Sequence, residues 1–254
     1  MSERVLRLRA SQWGFIALML TLMGLFITLG TWQLNRLAEK EQLIATVSAR
    51  FNAPPVAFPV TADPAALADF DYRPVSLTGR YEAGKTVLVF TSLDEPKGKA
   101  SGPGYWVMTP FTLSSGGMVF INRGFIPEAV KADFGPDAAV PATQQLTGIA
   151  RMAEAVGSFT PAPDRSGHIE WVRNPPRLAA LSGIDPSAVR PLYVDLAANP
   201  DGGVPQGGET TLDFPNNHLG YLLTWYGFAA LIPPLLWLWV RRQRRPGSPA
   251  ADPL

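Results

Sequence analysis

Cysteine is missing from all 254 residues. That excludes disulfide frameworks, thiolate nucleophiles, Cys-bound zinc, iron–sulfur clusters and covalently attached c-type haem. Histidine is nearly missing as well: there are 2, His168 and His218, too few for a multi-histidine metal centre. Charge is scarce, at 17% of residues, and balanced, with 22 Lys+Arg against 21 Asp+Glu. There is no basic excess to neutralise a phosphate backbone, so nucleic acid is not an expected partner. Hydrophobic residues make up 46% of the chain. With so little charge set against them, part of the chain is expected to lie in lipid.

Two segments meet that expectation. No charged residue falls between Ala10 and Asn35, or between Phe214 and Val240. Each stretch exceeds the roughly 20 residues that cross a bilayer as helix. Spans are placed at 13–34 and 218–240. The first is too long for the apolar part of a signal peptide and lacks a small-residue cleavage pattern after it, so it reads as a retained anchor. Arg4, Arg7 and Arg9 precede it, and Arg241, Arg242, Arg244 and Arg245 follow the second span. Basic tails stay cytoplasmic, which puts the tails 1–12 and 241–254 inside and the loop 35–217 outside. In a bacterial cell that means an inner-membrane protein with a periplasmic loop.

The loop is long enough for a domain of its own. Leu37, Leu43, Ile44, Val47 and Phe51 recur at helical spacing, predicting that the first span continues as an amphipathic stalk. After Pro54 the pattern turns to short β-branched and aromatic runs. Strands are predicted at 75–81, 86–91, 105–113, 118–126, 145–152 and 192–196, and a short helix at 177–182. The turns at Glu82–Gly84 and Ser114–Gly117 are expected to close antiparallel hairpins. Residues 95–104 read as a flexible loop and 199–208 as a linker back to the membrane. The fold class is α+β: a membrane protein with two transmembrane helices flanking one mostly antiparallel β-rich domain.

The ends of the spans that face the loop carry the chemistry. Trp32 closes the first span and His218 opens the second, so both are expected at the same depth. Thr21, Gly24, Thr28, Thr31 and Asn35 form a stripe of small or polar residues on which the second helix is expected to pack. His218, Tyr221, Leu222 and Trp225 recur on one face, and Asn216 or Asn217 is placed to cap that helix. The positive end of the helix dipole disfavours an added positive charge on His218. A neutral imidazole beside Trp32, Tyr221 and Trp225 suits one-sided haem ligation, which makes His218 the candidate metal ligand. The same side chains suit an interfacial aromatic belt and a packing histidine. Asp164, Ser166 and His168 lie too close in sequence, without a nucleophile elbow, to read as a hydrolase triad. Arg123 is a candidate partner for a carboxylate. Pro233-Pro234 is expected to kink the second span.

Several stretches resemble the surfeit-locus-one family of cytochrome c oxidase assembly proteins. They are Gly30-Thr31-Trp32-Gln33-Leu34 with Arg36-Leu37 and Lys40; Tyr72-Arg73 with Gly79-Arg80-Tyr81; Gly104 to Phe111; Val119 to Pro127; and Asn217-His218-Leu219-Gly220-Tyr221 with Thr224 to Gly227. Their order and the two-span layout match the family, while residues 128–210 carry few matches. The resemblance implies a non-enzymatic factor that binds haem a and assists its insertion into oxidase subunit I, with haem A synthase as donor. Carried over residue by residue, His218 would be the haem ligand and Trp32 part of its pocket. A structural assembly module that carries no haem is the alternative within the same family.

Overall fold

The computed structural model describes residues 10–61, 63–135, 143–199, 202–212 and 214–243. The chain divides into two compact units, Met1–Ala45 with Asp213–Leu254, and Thr46–Leu212.

The first unit is helical. Helix α1 runs unbroken over Ala10–Phe51, so span and stalk are one element as the spacing predicts. Its last turns enter the second unit, where Val47 is buried. Both α1 and the last helix of the chain, His218–Gln243, are long and apolar enough to cross a membrane. The latter stays helical through Pro233 and Pro234.

The second unit is β-rich. Strand β1 (Val56–Ala57) is followed by α2 (Pro64–Leu67) and then by β2 (Pro74–Tyr81), β3 (Val87–Leu93), β4 (Gly102–Leu113) and β5 (Met118–Pro127). After them come β6 (Gln144–Met152), β7 (Ile169–Glu170), α3 (Pro175–Leu181) and β8 (Val189–Leu196), which makes His218–Gln243 helix α4. The pairings β2–β6, β6–β8, β8–β5, β5–β4 and β4–β2 close a five-stranded barrel. β3 lies on the first half of β4 with β7 beyond it, and β1 borders β2. The sheet is mostly antiparallel, with parallel pairs at β1–β2, β3–β7 and β5–β8.

Alternation along each strand decides what fills the barrel. Val75, Leu77, Phe111, Val119, Ile121, Leu192 and Val194 share one buried cluster. Their neighbours Phe120 and Tyr193 turn to the other face, where Val89, Met108 and Leu178 and Ala179 of α3 cover them. The side chain of Asn174 caps α3, with Pro175 and Pro176 in its first turn. Gly79 is where the barrel shuts, since a Cβ there would lie 2.1 Å from the Thr112 carbonyl oxygen.

The Glu82–Gly84 turn does not close a hairpin, contrary to the sequence expectation. β2 pairs with β6 and β4, and β3 with β4 and β7. The physical reason is the length of β4. Its first half takes β3, its end takes β2 at Gly79–Tyr81, and Glu82 donates its N–H to the Pro110 carbonyl at 2.9 Å. The turn at Ser114–Gly117 does close the β4–β5 hairpin.

Residues 95–104 and the described residues of 199–208 are also more ordered than a loop and a linker. β4 begins at Gly102. Phe125 and Gln206 exchange backbone hydrogen bonds, both 2.8 Å. The carboxylate of Glu209 accepts the Lys97 and Gly98 N–H groups at 2.8 and 3.0 Å, and the Gln206 side chain brackets Ala100 through its N–H and carbonyl. Residues 202–212 thus strap the mouth of β4 and β5. At Gly124, where φ is +131°, a Cβ would meet the Gln206 carbonyl carbon at 2.4 Å, so only glycine admits the strap.

Candidate functional site

α4 opens at His218, with Tyr221 donating its N–H to the Asn217 backbone carbonyl at 3.4 Å. Neither asparagine side chain caps the helix among the described residues, and Asn216 Oδ1 is buried without a partner.

α4 packs on α1 through a seam spaced by threes and fours. His218, Leu222, Trp225, Ala229, Ile232, Leu236 and Trp239 are among its buried or half-buried positions, and Phe15, Met19, Phe26, Gly30 and Gln33 are buried or half-buried on α1. Phe26 stacks on Trp225 at 5.8 Å and leans on Phe228 at 5.5 Å, while Phe15 meets Trp239 at 4.8 Å. Gly30 admits the Tyr226 ring, which a Cβ would meet at 2.8 Å, and the Tyr226 hydroxyl lies 3.1 Å from Thr31 Oγ1.

The expected stripe of Thr21, Gly24, Thr28, Thr31 and Asn35 is therefore not the packing face. All five are exposed, and nothing lies within 4 Å of a Cβ placed on Gly24. The hydroxyls of Thr21, Thr28 and Thr31 donate to the carbonyls of Ala17, Gly24 and Ile27 on their own helix, each at 2.9 Å. Thr21 and Thr28 are satisfied in this way on their own helix, Thr31 alone also reaches across to the Tyr226 hydroxyl, and the aromatic side chains, which bury more surface, take the seam.

The four candidate site residues divide. His218 is half-buried, and its Nδ1 lies 2.8 Å from Oε1 of Gln33, which is only 8% exposed. Trp32, next to Gln33, is 53% exposed, and Tyr221, one turn beyond His218, is 57% exposed. Trp225 is half-buried in the seam against Phe26 and Phe228. The His218–Gln33 bond sets the end of the apolar stretch of α1 level with the start of α4. The ring's immediate partner, however, is Gln33, which sequence reasoning passed over. The signal was there in the spacing Phe26, Gly30, Gln33.

His218 Nε2 makes no hydrogen bond among the described residues, so the imidazole has one nitrogen engaged and one open. That donor set fits one-sided ligation of a haem iron. No group of three or more potential ligands that could hold a metal ion occurs among the described residues.

The second unit holds polar clusters of another kind. Asp195, buried on β8, accepts from Asn122 Nδ2 and Thr210 Oγ1, each at 2.8 Å. Arg151 and Arg173 stand 3.8 and 3.7 Å from its carboxylate. Arg151 lies over the Tyr72 ring at 3.9 Å and donates to its hydroxyl, while Arg173 pairs with Glu154 at 2.6 Å. Arg177 holds the fully buried Glu170 through two bonds of 2.8 and 2.9 Å. Each is a closed ion network tying strands to loops. Arg123 stands over the Tyr81 ring at 5.7 Å. Burial pushes the Tyr81 hydroxyl up to about 12, against the opposing pull of the Arg123 cation.

Asp164, Ser166 and His168 form a local turn. Asp164 Oδ1 accepts from the Ser166 hydroxyl at 2.6 Å and from the Ser166 and Gly167 N–H groups. These bonds, led by the Ser166 hydroxyl, hold the Asp164 carboxyl below its ordinary range. The serine oxygen faces the acid, which is the wrong arrangement for a nucleophile.

Residues 20–230 match the SURF1 family. The chain is 33% identical over 254 residues to a SURF1-like protein of Monosiga brevicollis, covering 95% of this chain and 92% of that protein. It is 32% identical to Surfeit locus protein 1 of Rattus norvegicus, covering 93% of this chain and 77% of the rat protein. The human Surfeit locus protein 1 is 30% identical, with 94% and 79% covered.

Proposed function

Because the chain belongs to the SURF1 family, we propose that it is a non-enzymatic assembly factor for cytochrome c oxidase that holds haem a as cargo at His218 for insertion into subunit I. The observation that carries this reading is the imidazole of His218, engaged at Nδ1 by Gln33 and open at Nε2. Trp32 and Tyr221, both exposed, offer flat apolar surfaces on either side in sequence. Haem would supply an iron that accepts one imidazole nitrogen; His218 would supply that nitrogen, and Trp32 and Tyr221 would offer apolar surface to the macrocycle. A single protein ligand at an open surface suits cargo that must be released. Haem A synthase as donor and subunit I as acceptor complete the proposal. Both helices would span the inner membrane, with termini in the cytoplasm and the barrel in the periplasm.

The test is co-expression with haem A synthesis, purification in detergent, and optical spectra of wild type and His218→Ala. Haem in the wild type and its loss in the variant is the expected result. Full retention by His218→Ala would remove the histidine from the reading.

A second reading has an observation of its own. The His218–Gln33 bond also ties α4 to α1, which is what a structural assembly module without cargo would need. A wild-type protein that carries no haem, in cells that still lose assembled oxidase on deletion of the gene, would favour it.

A further inference from the structure

We propose that Gln33 is the positioning residue for His218: it fixes the imidazole proton on Nδ1 and so presents the Nε2 lone pair to an incoming haem iron. The role as ligand rests on the haem-carrier reading above; the tautomer does not.

Gln33 Oε1 is a carbonyl oxygen and can only accept, so at 2.8 Å the Nδ1 nitrogen must be the donor. A neutral imidazole carries one N–H, and with that proton on Nδ1 the lone pair is on Nε2. The amide is 8% exposed, a setting in which an unpartnered polar group is costly, so the bond is held by the burial of Gln33 itself. Its height is set one turn earlier. Gly30 lets the Tyr226 ring approach, and the Tyr226 hydroxyl meets Thr31. Those contacts fix how far α1 is slid along α4, and therefore that Gln33 meets His218.

The chemistry of the acceptor matters too. A carboxylate at this place would draw the Nδ1 proton strongly and make the imidazole a more basic ligand. A neutral amide gives the same orientation with less electron donation. Gln33 therefore orients the ligand and keeps the grip on haem moderate, as reversible carriage requires.

The full chain in detergent, labelled with ¹⁵N at the imidazole nitrogens, tests the tautomer without any haem. Only two histidines contribute, and the exposed His168 serves as the reference. Wild type should show His218 protonated at Nδ1, and Gln33→Leu should lose that single form. Protonation at Nε2 in wild type would overturn the proposal. With haem loaded, Gln33→Leu should weaken affinity about 10- to 100-fold. Gln33→Glu, which keeps an acceptor, should restore binding, raise the Fe–His stretching frequency and lower the reduction potential. Haem bound through His218 with affinity and Fe–His stretch unchanged in Gln33→Leu would overturn the role of Gln33 alone. A wild type with the Nδ1 proton in place that takes up no haem would overturn the carrier reading, and ligand positioning with it.

Discussion

Tyr193 carries its hydroxyl into the packing beneath α3, where it is buried without a hydrogen-bond partner. Removing an unsatisfied buried group relieves its desolvation cost. Tyr193→Phe should therefore stabilise the barrel unit by about 1 kcal/mol, seen as a higher thermal midpoint in detergent; a lower midpoint would contradict the packing described. Arg177→Leu should do the opposite. It leaves the fully buried Glu170 carboxylate unpaired, a loss of roughly 3–5 kcal/mol. Tyr81 sets an alkaline limit. Its folded hydroxyl titrates at about 12 against an ordinary 10.0 because burial disfavours the phenolate. The folded state thus holds this proton more tightly than the unfolded chain. The resulting stability is complete below about pH 10 and is lost as pH rises through about 12. Tyr81→Phe should flatten that decline in a pH series of melting curves. None of these three was legible in the sequence, because burial of a hydroxyl or a carboxylate depends on which strands meet.

At the scale of elements, the strap and the helix seam give the sharpest consequences. Glu209→Ala frees the Lys97 and Gly98 N–H groups, so hydrogen exchange at those amides and proteolysis near residues 97–100 should both rise while the barrel strands stay protected. Unchanged exchange would show that the Glu209 carboxylate does not hold the strap. Gly30→Leu drives a side chain into the Tyr226 ring and should cost about 1–3 kcal/mol of helix pairing, read as an earlier loss of helical ellipticity on heating. Among the described residues, sequence periodicity located six of the eight strands and both long helices, since alternation and apolar length are local properties. It missed β1 and β7, each two residues long and too short to show a period. It misassigned the Glu82–Gly84 turn because turn residues state that the chain reverses, and not which strand receives it. Of the stripe it assigned to the helix contact only Thr31 touches α4, because a threonine looks polar in sequence although the hydroxyls of Thr21 and Thr28 are already spent on their own helix.

For the molecule as a whole, the barrel closes on its own strands and buries its own core, so residues 46–212 expressed alone should give a soluble β-rich domain with dispersed NMR signals and no bound haem. Haem retention by that fragment would move the site away from His218. That the end of the first apolar stretch meets the start of the second was legible, because those ends follow from where charge resumes. The Gln33 contact was not, since rotation about a helix axis is settled by packing. His218 and Gln33 stand 185 positions apart in the chain. As an unfolded tether, that length would leave the two helices to find each other with the freedom of nearly separate molecules. Collapse of the barrel shortens that tether and so raises the effective concentration of one helix near the other. Substitutions deep in the barrel core are thereby expected to surface as slackened pairing of the two helices.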